Sequence, residues 1–253
     1  MLKNKINILG LIVYLSFQTA NCFASDKEAV TTLYFDLGEK GGWVPFRNAE
    51  KNGGTGVFTD LSKALQASTG IQFKTVNFPQ ERAAKALLDG IVDFDFSCLE
   101  WFENNDPGPN FVATDSFFEI TEHIVTLQKN APLFPTRESI FGKPIGTIYG
   151  YFYFDDNKFE RTDLINENQL ILGLKNEQFK AIILERETAK YWAKLNNTEI
   201  AFAALHTSGN LVMRLKKEHS ALLPLLNQAI RTMKTSGELQ TILSNQGIDS
   251  KIN

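Results

Sequence analysis

The sequence predicts an α/β protein folded as two lobes, and three observations carry that expectation. Strand-like apolar runs alternate with helix-like amphipathic stretches, the pattern of mainly parallel sheets flanked by helices. Glycines and prolines such as Gly70, Pro79, Gly90 and Gly150 punctuate the boundaries between segments. The alternation also forms two sets, with connections near Lys129 and His206. No short-period repeat or low-complexity tract interrupts it.

Ala29 to Leu37 is expected as the first strand. A Gly-rich loop follows, GEKGGWVPFRNAEKNGGTG, with Trp43 and Phe46 around Pro45. A helix is expected from Thr59 or Asp60, either of which can cap it, with Leu61, Ala64 and Leu65 at helical spacing. Gly70 ends it, being free to adopt positive φ. Ile71 to Phe78 reads as the second strand. Pro79 suits a helix start, and Ala83, Ala86 and Leu87 form an apolar stripe down to Gly90. Ile91 to Ser97 is the third strand, where Asp93 and Asp95 alternate with Phe94 and Phe96. His123 to Gln128 leads out of this set.

The second set begins with a strand at Pro144 to Tyr149. A helix at Glu167 to Leu174, a short strand at Lys180 to Leu184 and a helix at Glu187 to Leu195 follow. Ile200 to Leu205 reads as a strand, HTSGN (206–210) as a connector, and Leu211 to Leu215 as a further strand. Helices at about Ser220 to Lys234 and Gly237 to Asn245 close the chain. The sequence leaves open which lobe those two helices join.

The chain has 253 residues, of which 43% are hydrophobic and 22% charged, as in an ordinary globular protein. Its 20 phenylalanines point first to generous apolar cores, and second to an aromatic-lined pocket. The first 24 residues stand apart. Lys3 and Lys5 precede an apolar run from Ile8 to Phe17, and small and polar residues end at Ala24. This is the layout of a cleaved secretory signal, with a run too short for a permanent anchor. Asn21 before Cys22 fits a lipidation site poorly, so cleavage near Ala24 and a soluble exported protein are expected. The net charge of −3 falls, with the loss of those two lysines, to −5. An acidic surface disfavours nucleic acid as a partner. Cys98 then remains as the sole cysteine, and the mature fold must stand on packing without an internal disulfide.

An ordered set of short motifs resembles the extracellular solute-binding proteins of family 3, the polar-amino-acid receptors of ABC transporters. WVPF (43–46) looks like that family's aromatic-Pro-Pro-Phe element, and GVFTDLSKAL (56–65) is similar to the motif opening its first helix. LLDGIVDF (87–94) looks like its Leu-x-x-Gly-x-x-Asp step, and FVATDSFFE (111–119) its Phe-Ser-x-Pro-Tyr stretch. FGKPIGTIYG (141–150) looks like the opening of its second lobe. The stretch from Leu215 to Ile248 resembles its closing pattern. The resemblance covers about Thr31 to Ile248. It implies a type 2 periplasmic-binding-protein fold, with lobe one at 25–128 and 206–253, lobe two at 129–205, and a ligand cleft between them that closes about a hinge.

Two departures stand out. The family's Thr-x-x-Arg after the third strand, whose Arg grips a ligand carboxylate, is FENN (102–105) here. The Gly-Thr step of the second lobe is replaced by YGYFYF (149–154). The resemblance implies that Glu185, ending KAIILE, takes the place of the carboxylate that holds a ligand ammonium.

Ligands of open α/β sheets sit at the carboxyl ends of strands. That rule selects Trp43, Phe46, Arg82, Ser97, Glu100, Trp101, Tyr149, Tyr151 and Glu185. Arg82, in the first turn of a helix, suits an anion; its alternative is a surface ion pair with Glu81 or Asp89. Asp93 reads as a structural fixture at the strand start. Asp95 needs a partner if buried, through an internal network or a ligand amine. The aromatic residues with Glu100 and Glu185 favour an amine-bearing or mixed-charge ligand. His123, His206 and His219 show no metal spacing, and no nucleophile or phosphate-loop motif appears, although hydrolase or dehydratase chemistry on such a fold stays open. NNT (196–198) matches a short glycosylation pattern. The expectation is a periplasmic monomer without cofactor. It would bind a small solute and hand it to the permease of an ABC transporter, or report it to a membrane sensor.

Overall fold

The computed structural model describes residues 30–49 and 54–253. The expected signal peptide at 1–24, with Cys22, lies outside the described residues. Nine strands and six α-helices follow one another among them. The first group is β1 (Thr32–Asp36), α1 (Val57–Thr69), β2 (Gln72–Val76), α2 (Gln80–Leu88), β3 (Phe94–Cys98), β4 (Phe111–Ala113) and β5 (Glu119–Leu127). Then come β6 (Pro144–Ile148), β7 (Glu160–Leu164), α3 (Glu167–Lys175), β8 (Ala181–Glu185), α4 (Arg186–Leu195), β9 (Ile200–Lys216), α5 (Leu223–Ser236) and α6 (Glu238–Asn245).

Every predicted helix and strand is present, with shifted ends. α1 starts earlier than its expected caps, at Val57, and has no side-chain cap. Thr59 is instead a buried residue of its first turn. β4 and β7 were not anticipated: one is three residues long, and ERTDL is too polar to show alternation.

The expected connector HTSGN is strand. β9 runs unbroken for 17 residues, about 56 Å at the usual rise. Its first part pairs antiparallel with β5, and its last part with β3 and β4. The strand path β2-β1-β3-β9-β5-β8-β6-β7 therefore passes through β9 from one lobe to the other. The polar residues of HTSGN keep their ladder because β5 supplies partners across them. The ladder is irregular there: Glu122 pairs with Thr207 but His123 with Leu205, which leaves His206 as an extra residue. Such a bulge lets neighbouring side chains turn the same way, and His206 and Thr207 are both buried while Leu205 is exposed.

The two lobes follow from separate cores. Leu33, Phe35, Leu61, Phe94, Phe118, Met213, Ile230 and Leu243 belong to one. That core includes α5 and α6, which settles their packing. Val125, Leu170, Ile171, Ile182, Leu184 and Trp192 form another. Ile124, Ile140, Ile145 and Ile183 form a third on the opposite face of β5 and β8. Neighbouring residues on these strands alternate between the two, so AIILE is buried along its whole length, as expected of an interior strand.

Candidate ligand-binding site

A cavity of about 110 Å³ lies between the lobes. A single water needs about 10–15 Å³ by that measure, so several waters or a small solute fit. Its walls come from the ends of β1, β3 and β8, the first turns of α2, the 150–152 turn after β6, and points on β5 and β9.

Of the nine predicted residues, Trp43, Ser97, Trp101, Tyr151 and Glu185 line this cavity. Trp43 and Trp101 pack with ring centroids 5.6 Å apart. The Tyr151 hydroxyl donates to Glu167. Burial, then the Glu167 charge, pushes that phenol well above its ordinary range. Burial likewise raises Glu167.

Four predicted residues stand elsewhere. Phe46 is 1% exposed and belongs to the core behind Trp43, 5.0 Å from it, without lining the cavity. Arg82 is exposed. The inward face of α2 is Gln80, Ala83, Ala84 and Leu87, the spacing of one helical stripe, and this turns Arg82 to solvent. Its expected rival partner Asp89 is taken by Lys85, 2.7 Å away. Tyr149 is 54% exposed, on the outer side of the turn at Gly150. Glu100 turns towards β9, where it accepts from the Cys98 thiol at 3.0 Å. It fills the space that a side chain at Gly209 would need.

The cations of the cavity are Arg47 and Arg214, neither of them predicted. Arg47 pairs with Asp36 at 3.3 Å and donates to Gln80 at the start of α2. Burial works against its charge, but Tyr151, Asp36 and Glu167 together hold its pKa above the ordinary arginine value. Arg214 forks onto Asp95, with Nε 3.0 Å from Oδ1 and Nη2 on Oδ2. The Phe102 and Phe111 rings flank its guanidinium at 4.6 and 4.8 Å. Asp95 is partly exposed, and its partner is the buried Arg214. The signal was present in the sequence: FDFS (94–97) and LVMRL (211–215) each carry one charge in an apolar run, and the two runs are paired strands with Asp95 opposite Arg214. Asp93 is the fixture expected of it. It accepts the Tyr34 N–H at 2.7 Å and lies 2.9 Å from His219 Nε2.

Two further carboxylates line the cavity, Glu122 and Glu185, and no arginine or lysine pairs with either among the described residues. Glu185 accepts the Glu187 and Thr188 N–H groups at 2.9 and 2.8 Å, so it also caps α4. Burial pushes its pKa up to about 7, against those two bonds. Next to Glu122, His206 lies 3.0 Å from Asp155 and 2.8 Å from the Thr207 hydroxyl. Burial acts to lower that histidine, but Asp155 and Glu122 prevail and raise it to about 9.

The lobes touch across the cavity. Trp192 Nε1 donates to the Gly42 carbonyl at 2.8 Å, and the Asn168 N–H to that of Gly41 at 3.0 Å. The Phe102 and Phe152 rings meet at 5.5 Å. Gly150 has φ 85, and a side chain there would stand 3.1 Å from the Gln80 carbonyl. The cleft is therefore closed over a polar, aromatic-walled space.

Comparison with known proteins agrees with this architecture. The family of bacterial extracellular solute-binding proteins, family 3, matches residues 36–245. A probable histidine-binding protein of Campylobacter jejuni is 22% identical over 232 residues, 89% of each chain. The amino-acid ABC transporter substrate-binding protein AbpA of Streptococcus pneumoniae, bound to L-arginine, superposes with a TM-score of 0.68. It is 16% identical, covering 85% of this chain and 94% of that one. The ligand-binding core of GluR0 with L-glutamate gives a TM-score of 0.70 at 15% identity, covering 87% and 99%. The fold is that of the type 2 periplasmic binding proteins.

Proposed function

Because this chain belongs to the bacterial extracellular solute-binding proteins, family 3, we propose that it captures a small polar solute, amino-acid-like or amine-bearing, by hinge closure. It then delivers that solute to the permease of an ABC transporter. The observation that carries this reading is the closed cleft. Aromatic and charged side chains from both lobes enclose one cavity, and the lobes are joined through β5 and β9, strands suited to act as the hinge. We place lobe one at 25–128 and 206–253 and lobe two at 129–205. Export to the periplasm with cleavage near Ala24, and a monomeric state, complete the proposal.

Binding without turnover fits the His206–Asp155–Thr207 set near the cavity. With a pKa of about 9, His206 is protonated at neutral pH and is no base for Thr207. A role in reporting the solute to a membrane sensor uses the same closure. Co-purification of the ligand-loaded protein with a permease favours transport, and with a sensor the alternative.

The test is a thermal-shift screen of the mature protein against amino acids, polyamines, small carboxylates and short peptides. A ligand at 100 times its Kd adds about 2.7 kcal/mol and raises Tm visibly. A hit that Trp43→Ala and Glu185→Gln both weaken supports the cleft. A screen with no shift, together with disappearance of a compound on incubation, would instead indicate an enzyme.

A further inference from the structure

Glu122 is the one charged side chain of the cavity wall that makes no hydrogen bond among the described residues. Its side chain is 7% exposed, and Oε2 is buried without a partner. β5 and β8 pair antiparallel with Glu122 directly opposite Glu185. Opposed residues share a face with Cβ atoms about 4.5–5.5 Å apart, and like charges so placed repel. Both carboxylates nonetheless line the cavity.

The charges that face this pair do not cancel it. From β9, His206 Nδ1 stands 3.8 Å from Glu122 Oε2, but the same ring is bonded to Asp155. One imidazolium thus serves two carboxylates. The Tyr153 phenol lies nearby with its pKa raised, and Glu187 adds negative charge beside Glu185. Arg47 and Arg214 are each engaged by their own aspartate. A negative surplus therefore remains on the cavity wall, centred on two glutamates at opposed positions of β5 and β8.

We propose that Glu122 and Glu185 form a two-carboxylate clamp for a single N–H-bearing cationic group of the ligand, a primary ammonium or a guanidinium, and that Glu122 is its specificity-determining arm. This rests on the reading that the cleft captures a solute. A cation seated between the two carboxylates offsets their repulsion and supplies the hydrogen bonds that Glu122 lacks. Glu185 keeps a free lone pair on each oxygen after capping α4, so it can cap and clamp together.

The test is isothermal titration calorimetry on the mature protein at pH 7.5. Its probes are L-arginine, L-lysine, L-histidine, putrescine and spermidine, each beside an N-acetylated form, with L-glutamate, succinate and glucose as acidic and neutral probes. In the wild type, acetylating the engaged nitrogen of the best amine is expected to weaken binding about 100-fold. In Glu122→Gln, with the fold intact by circular dichroism, that factor is expected to shrink to about 10-fold or less. His206→Gln removes a like charge beside the clamp and is expected to tighten amine binding several-fold. An acetylation factor unchanged in Glu122→Gln overturns the clamp and leaves solute capture standing. So does binding of only the acidic or neutral probes. Binding by none of the probes overturns the clamp and counts against the solute reading as well.

Discussion

Arg82, the cation the sequence singled out, and Arg214, which it did not, differ completely in place. Arg82 lies on the solvent side of α2, so Arg82→Ala is expected to leave ligand affinity unchanged and stability within about 0.5 kcal/mol, by titration and urea denaturation. Arg214 is buried against Asp95, and removing it strands a carboxylate at the cavity wall. Arg214→Ala is expected to cost about 2 kcal/mol, less than a fully buried pair because Asp95 is partly exposed. Two further residues set the pH response. Glu185 is raised to about 7, so its contribution to stability is full at low pH and is lost as pH rises through 7. His206 is raised to about 9, so its pairing is full below its ordinary pKa and is lost as pH rises through 9. Both effects lower the Tm of the ligand-free protein between pH 5 and pH 9. Glu185→Gln is expected to flatten the lower part of that fall and His206→Gln the upper part. A Glu185→Gln profile parallel to wild type would refute the first assignment.

β9 is the element on which the molecule turns. Its polar centre reads as a loop because Ser208, Gly209 and Asn210 favour turns. It is strand because β5 pairs along it and because Glu100 occupies the space above Gly209. Gly209→Ala is expected to cost about 1–3 kcal/mol through overpacking, measured by chemical denaturation. Adding Glu100→Ala should recover part of that loss, since the two positions share one space. The start of α4 carries a similar double duty. Glu185→Ala removes both cap bonds as well as the cavity carboxylate, so its effect on binding is interpretable only beside its Tm.

Closure belongs to the whole molecule. The bonds from Trp192 to Gly42 and from Asn168 to Gly41 exist only with the lobes together. They bias the closed form without touching a ligand. Trp192→Phe removes one hydrogen bond of about 1 kcal/mol, so ligand affinity is expected to fall roughly fivefold, with a larger radius of gyration in the ligand-free protein by small-angle scattering. Gly150→Ala, pressed onto the Gln80 carbonyl, should oppose closure in the same way. What the sequence by itself determined is local: the order of helices and strands, the aromatic loop around Trp43, and the strand ends at Ser97, Tyr151 and Glu185. Each follows from periodicity, turn chemistry or the rule for strand ends, which act over a few residues. What only the tertiary structure decided is which charges meet. Asp95 and Arg214 are 119 residues apart, Glu122 and His206 come together at a bulge that no local pattern marks, and Arg82 loses its role to the facing of one helix stripe. Long-range strand register and helix rotation set those meetings, and they are fixed by packing between distant segments.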